Sequence, residues 1–167
     1  MRFISFLLML TGAAVVQTLM PPWWLMGQAK VPVLLALCLY YALRDSRRLA
    51  IQAAVLAGLV QDAMSMIPLG YSSLAFAVVC LLAIRFRDLI FIQEGLTHVL
   101  LGAVGAALVT VLLSVFLIQS GVVLISAGWL FLKISGSLLL GAVTVPLAFM
   151  AFSSLDNRLG IEREHYA

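Results

Sequence analysis

Charge is what this sequence has least of. Aspartate, glutamate, lysine and arginine together supply 10% of its 167 residues, while 64% are hydrophobic. A soluble domain is roughly 45–50% apolar and about 25% charged, so a chain of this size cannot bury its apolar surface in a water-soluble globule. It reads as an integral membrane protein. Cysteine is scarce as well: Cys38 and Cys80 stand in separate apolar runs, with no CxxC and no neighbouring histidine. That pattern offers neither a disulfide framework nor a metal site, and both read as small buried or lipid-facing residues. Also missing are HExxH, GxSxG, a Walker loop and any pair of carboxylates within the apolar runs, so no enzyme activity, metal or cofactor is expected. A net charge of +3 would suit a nucleic-acid binder if the basic residues formed one stripe. They fall instead in short clusters between apolar runs, which points to membrane orientation.

What the sequence does have is a succession of charge-free runs. Crossing the ~30 Å hydrocarbon layer takes roughly 20 apolar residues per helix. On that measure the chain is a single all-α polytopic domain over residues 1–167, with six transmembrane helices spanning approximately 3–21, 29–43, 49–67, 70–84, 96–118 and 130–153. The first run ends at Pro21-Pro22-Trp23-Trp24, where prolines stop a helix and indoles suit the interface. The second is short, but a snorkelling Lys30 and the Tyr40-Tyr41 pair let it reach both interfaces. Leu49–Ile84, broken only by Asp62, fits two helices with a turn at Pro68-Leu69-Gly70. Gly95–Leu132 exceeds one pass, so a helix ends near Ile118 and Gln119–Gly128 reads as a loop or interfacial segment. From Asp156 onward the chain reads as a short solvated tail.

With both termini cytoplasmic, Arg2, Arg44, Arg47, Arg48, Arg85, Arg87, Arg158 and Arg163 fall inside, leaving Lys30 and Lys133 outside. Insertion resists translocating positive charge, so this split over short loops orients the protein. A signal peptide is the other reading of the first run, but the run continues past any cleavage point. No soluble domain, long linker or solenoid repeat is visible.

Asp62 is the one acidic residue well inside an expected span. A carboxylate at mid-bilayer costs at least about 2.5–3.5 kcal/mol and therefore faces protein or water. Counting back by fours from Asp62 gives Gly58, Ala54 and Ala50, a stripe of small residues that lets another backbone approach closely. Three roles are open to the carboxylate. It can accept hydrogen bonds from the turn that follows, through Ser65, the Leu69 or Gly70 amides, Ser72 or Ser73; it can meet a partner helix; or it can bind an ion or substrate. His98 reads as an interfacial histidine, Trp129 as an outer anchor, and Lys133 as a snorkelling anchor or a partner for Asp62. Gly102, Gly105, Ala106, Ser137 and Gly141 read as close helix packing.

The stretches KVPVLLALCLYYALR (Lys30–Arg44) and GLVQDAMSMIPLGYSSLAFAVVCLLAIRFRD (Gly58–Asp88) resemble the bacterial rod shape-determining protein MreD family. Members carry a proline-led apolar helix ending in aromatics and Ala-Leu-Arg, then an Asp-x-x-Ser-x-x-Pro-Leu-Gly turn. Asp62, Ser65, Pro68, Leu69 and Gly70 match that turn in register. Val33 stands where the family often has an acidic residue, and Met66-Ile67 where it often has a small one. The resemblance implies a non-catalytic inner-membrane component of the cell-elongation machinery. Its partners would be the single-span protein MreC, the filament MreB, and RodA with its penicillin-binding transpeptidase, and it would support lateral peptidoglycan synthesis. It also implies a six-helix fold shared with the substrate-binding components of vitamin transporters, which makes a subunit of an energy-coupling factor transporter the rival function. Under the first reading Gly58, Asp62, Ser65, Pro68, Leu69 and Gly70 form a partner-binding surface or a structural turn.

Overall fold

In the computed structural model, which describes residues 2–20, 31–44, 46–65, 68–86, 95–121 and 127–159, the described residues form six α-helices and no strand. They are α1 (Arg2–Leu19), α2 (Val33–Arg44), α3 (Arg47–Ser65), α4 (Tyr71–Arg85), α5 (Gly95–Gln119) and α6 (Ala127–Leu159). Helix α2 is the axis. Every residue from Leu34 to Leu43 is buried, as suits a helix that is apolar all round. The other five surround it in the order α1, α3, α4, α5, α6, with α6 returning lightly to α1.

This arrangement changes the meaning of the tyrosine pair. Tyr40 and Tyr41 are only 2% and 5% exposed, so they are core residues and not an interfacial belt. Tyr41 meets Phe6 edge-to-face at 5.3 Å, and Tyr40 does the same with Phe149 at 5.4 Å. A buried tyrosine is stable where its hydroxyl finds a partner, and both do: Tyr41 donates to Met9 Sδ at 3.5 Å and Tyr40 to the Asp156 carboxylate. Lys30 and the Pro21-Pro22-Trp23-Trp24 segment lie outside the described residues.

Among the described residues, two helices contain stretches long and apolar enough to cross a bilayer on their own, Thr97–Gln119 in α5 and Gly128–Asp156 in α6. Helices α1, α2 and α4 are apolar but shorter. Contacts set the helix directions. Phe6 near the start of α1 touches Tyr41 near the end of α2, and Asp156 near the end of α6 bonds Tyr40. The first and last described helices therefore share one end of the bundle. Arg44, Arg47, Arg48 and Arg85 sit at that same end, where α2 stops, α3 starts and α4 stops.

Candidate functional site

Helix α3 ends at Ser65 and α4 begins at Tyr71, with Gly70 between them at φ 106°. A side chain in that left-handed conformation costs about 1–2 kcal/mol, which glycine avoids. Glycine, however, leaves the start of α4 without a capping side chain, and the first N–H groups of a helix have no partner within it. Asp62 supplies the acceptor from the preceding helix. The Gly70 amide donates to its Oδ2 at 2.7 Å, and the Ser72 amide donates to Oδ1 at 3.0 Å and to Oδ2 at 3.3 Å. Asp62 is completely buried, and its charge lies at the positive end of the α4 dipole. Of the donors anticipated for this carboxylate, the Gly70 amide is used, and Ser72 serves through its backbone. Ser65 and Ser73 bond elsewhere: Gln61 Nε2 donates to Ser65 Oγ at 3.3 Å, and Ser73 Oγ donates to the Val55 carbonyl at 3.0 Å. Pro68 and Leu69 form the exposed tip of the turn, with Leu69 71% exposed.

The small-residue stripe is also occupied from within. Ala50, Ala54 and Gly58 are buried, and a Cβ added to Gly58 would overlap Ser73 Cα and lie 2.8 Å from the Ser72 carbonyl carbon. The backbone that approaches this stripe is α4 of the same chain. No room remains there for a helix from another protein.

Two further polar constellations hold the bundle, and sequence reasoning passed over both. At the Asp62 end, the Leu34 amide, one of the unpaired donors at the start of α2, donates to Gln17 Oε1 at 3.0 Å. Gln17 Nε2 in turn donates to Gln61 Oε1, so one chain of amides joins α1, α2 and α3. The signal was present: an uncharged amide inside an apolar run must find a partner across helices. At the arginine end, Tyr40 donates to Asp156 while Arg44 Nη1 donates to Tyr40 Oη at 2.8 Å and to Ser153 Oγ at 3.4 Å. Asp156 is thus no part of a solvated tail. No helix breaker occurs between Pro146 and Gly160, so α6 continues to Leu159 and carries the carboxylate back to the axis.

Helices α5 and α6 meet as their small residues suggest. A Cβ on Gly102 would lie 2.6 Å from Val145 Cβ, and one on Gly141 3.1 Å from the Gly102 carbonyl carbon. Thr110 Oγ1 donates to Ser137 Oγ at 2.8 Å across the same interface. Gly105 differs, because a Cβ there would make only van der Waals contacts of 3.4–3.9 Å with Leu39, Val79 and Leu35. The His98 ring lies 4.6 Å from that of Phe149, and Trp129 is exposed.

Chemically, these groups hold helices together. Among the described residues, the buried side chains of Gln17, Asp62, Ser73, Ser114 and Ser137 all bond within the chain. Ser72 Oγ is buried without a partner. No group of three potential metal-binding side chains occurs among the described residues.

No curated protein and no solved structure matches the chain. The family model described as rod shape-determining protein MreD matches residues 1–155, a segment that contains the whole Asp62–Gly70 turn. The chain belongs to the MreD family of rod shape-determining proteins, which are membrane proteins of bacteria.

Proposed function

We propose that this protein is a non-catalytic component of the cell-elongation machinery of the bacterial cytoplasmic membrane, crossing it six times with both ends in the cytoplasm. In this reading it associates with MreC and, through MreB and RodA with its penicillin-binding transpeptidase, supports lateral peptidoglycan synthesis. The observation that carries the reading is the match to the family over residues 1–155. The orientation rests on Arg44, Arg47, Arg48 and Arg85 sharing the end of the bundle where α1 starts and α6 stops, since arginine clusters stay cytoplasmic.

The interior fits an assembly role better than a solute carrier. A vitamin-sized ligand needs several convergent polar groups, and Gln17, Gln61, Asp62 and Ser73 are engaged by the protein itself. Gly58, Asp62, Ser65 and Gly70 then act as structure, and the exposed Pro68 and Leu69 are the part of the turn that faces a partner.

Depletion in the native host, with cell shape and sites of new wall imaged while the protein is captured in mild detergent, tests this reading. Rounded cells and co-captured MreC are the expected outcome. Normal rods, with an energy-coupling ATPase complex captured instead, would overturn it in favour of a transporter subunit.

A further inference from the structure

The arginines that share one end of the bundle are not equally engaged. Arg44 donates to Tyr40 and Ser153. Arg47, Arg48 and Arg85 are exposed, and among the described residues their side chains make no hydrogen bond or ion pair. Residues 44–48 and 85–88 together hold five arginines against two aspartates, so this end keeps positive charge that the chain itself does not neutralise.

Two adjacent helices present these arginines on matching faces. On α3, Arg48, Gln52, Val55 and Leu59 are all exposed and recur at steps of four, three and four residues, which is one face of a helix. On α4 the same steps run back through Arg85, Leu81, Val78 and Leu74, again all exposed. Each face thus leads from an apolar stretch to a guanidinium. The register of the pair brings the two guanidinium ends to one level. Gly58 packs directly against the Ser73 backbone where the helices cross. Arg48 lies ten residues before that point on α3 and Arg85 twelve after it on α4, which are rises of about 15 and 18 Å. Helix α3 packs more extensively on α4 than on α2, so the two faces stay side by side. Gln52 stands about one turn along from Arg48, and its amide also has no partner among the described residues. An amide facing lipid is costly unless something bonds it, and the glycerol ester groups just beneath a phosphate are acceptors at that depth.

We propose that the arginine ends of α3 and α4 bind a diphosphatidyl phospholipid of the cytoplasmic leaflet, with one phosphate on Arg48, the other on Arg85, and acyl chains along the two apolar faces. The guanidinium fork matches phosphate geometry. Joining two phosphates in one molecule makes the second contact intramolecular, and basic sites between helices at the cytoplasmic surface suit such headgroups. The leaflet rests on the orientation proposed above; the pairing of phosphates with Arg48 and Arg85 does not.

The test uses the full chain purified in neutral detergent and depleted of lipid, with tetraoleoyl diphosphatidylglycerol as the probe and retention read by native mass spectrometry. Each arginine near a charged lipid surface strengthens attachment by about fivefold, so the double variant Arg48→Gln, Arg85→Gln is expected to hold the probe roughly thirtyfold more weakly. The double variant Arg48→Lys, Arg85→Lys keeps the charge and is expected to lie between. Dioleoyl phosphatidylglycerol, with one phosphate, is expected to be held more weakly than the probe. Equal retention of the probe by the glutamine variant overturns the site, equal retention of the one-phosphate lipid overturns the bridging, and displacement of the probe by inorganic phosphate overturns the lipid in favour of a free anion. Micelles have no inner or outer side, so each of these outcomes bears on the site and not on the orientation.

Discussion

Replacing Asp62 with alanine removes the acceptor from two amides, one of them buried and the other part-buried. The Gly70 and Ser72 N–H groups lie 2.7 and 3.0 Å from the carboxylate. Each donor left unpaired in a buried site costs about 1–3 kcal/mol, and losing a negative charge at a helix N-terminus adds about 0.3–1 kcal/mol. Asp62→Ala is therefore expected to destabilise the bundle by about 2–7 kcal/mol, the lower bound applying if the turn relaxes toward water. Asp62→Asn keeps one carbonyl acceptor but points an NH2 group at the other amide. Its expected cost is about 1–3 kcal/mol.

The protein carries its own reporter for this measurement. Cys38 and Cys80 are free and fully buried, so a dye that fluoresces on reaction with thiols stays dark until the helices separate. For a chain of this size each kcal/mol moves the midpoint by about 2–4 °C, which places Asp62→Ala roughly 5–28 °C below the unsubstituted protein and Asp62→Asn between them. An unchanged midpoint for Asp62→Ala would refute the capping argument. Loss of MreC from the captured complex at that unchanged midpoint would assign the carboxylate to a partner.

Gly58→Leu is expected to destabilise more than Asp62→Asn, because its first added carbon already overlaps the Ser72–Ser73 backbone; a well-folded Gly58→Leu protein with the same midpoint would refute the close crossing of α3 and α4. Gly141→Val forces α5 and α6 apart at the Gly102 carbonyl, so its midpoint falls by several degrees while Gly105→Ala stays close to the unsubstituted value. Tyr40→Phe and Asp156→Ala each remove the bond between Tyr40 and Asp156, with an expected cost of about 0.5–1.5 kcal/mol apiece and, because they share one interaction, a double variant less destabilised than the sum. Strict additivity in that cycle would mean that the two side chains do not act on each other.

Much of this architecture is legible from runs and breaks. The turn after Asp62 was readable because a charge and then Pro68-Leu69-Gly70 interrupt an apolar run too long for one helix. The Gly102 and Gly141 contact was readable because small residues in an apolar helix have little use except close approach. The polar ties were harder. Gln17 and Gln61 are separated by 44 positions and Tyr40 and Asp156 by 116, and no local pattern links residues that far apart. Asp156 was misplaced for a further reason: a charge after an apolar run resembles the exit from the membrane, whereas the helix itself has no reason to stop before Gly160.

Helix α2 shows why run length alone misjudges a bundle. The requirement for roughly 20 apolar residues applies to a helix that lipid touches, since only there must apolar surface match the hydrocarbon layer. Helix α2 has 12 residues and is buried from Leu34 to Leu43, so it is matched to its neighbours and not to the bilayer. Its ends need hydrogen-bond partners, and it has them: Gln17 receives the Leu34 amide at one end, and Asp156 receives the Tyr40 hydroxyl near the other. The features that would make a short lipid-facing helix reach both interfaces, a snorkelling lysine and a tyrosine pair, are not what α2 requires. Its tyrosines instead bind α1 and α6 to the axis.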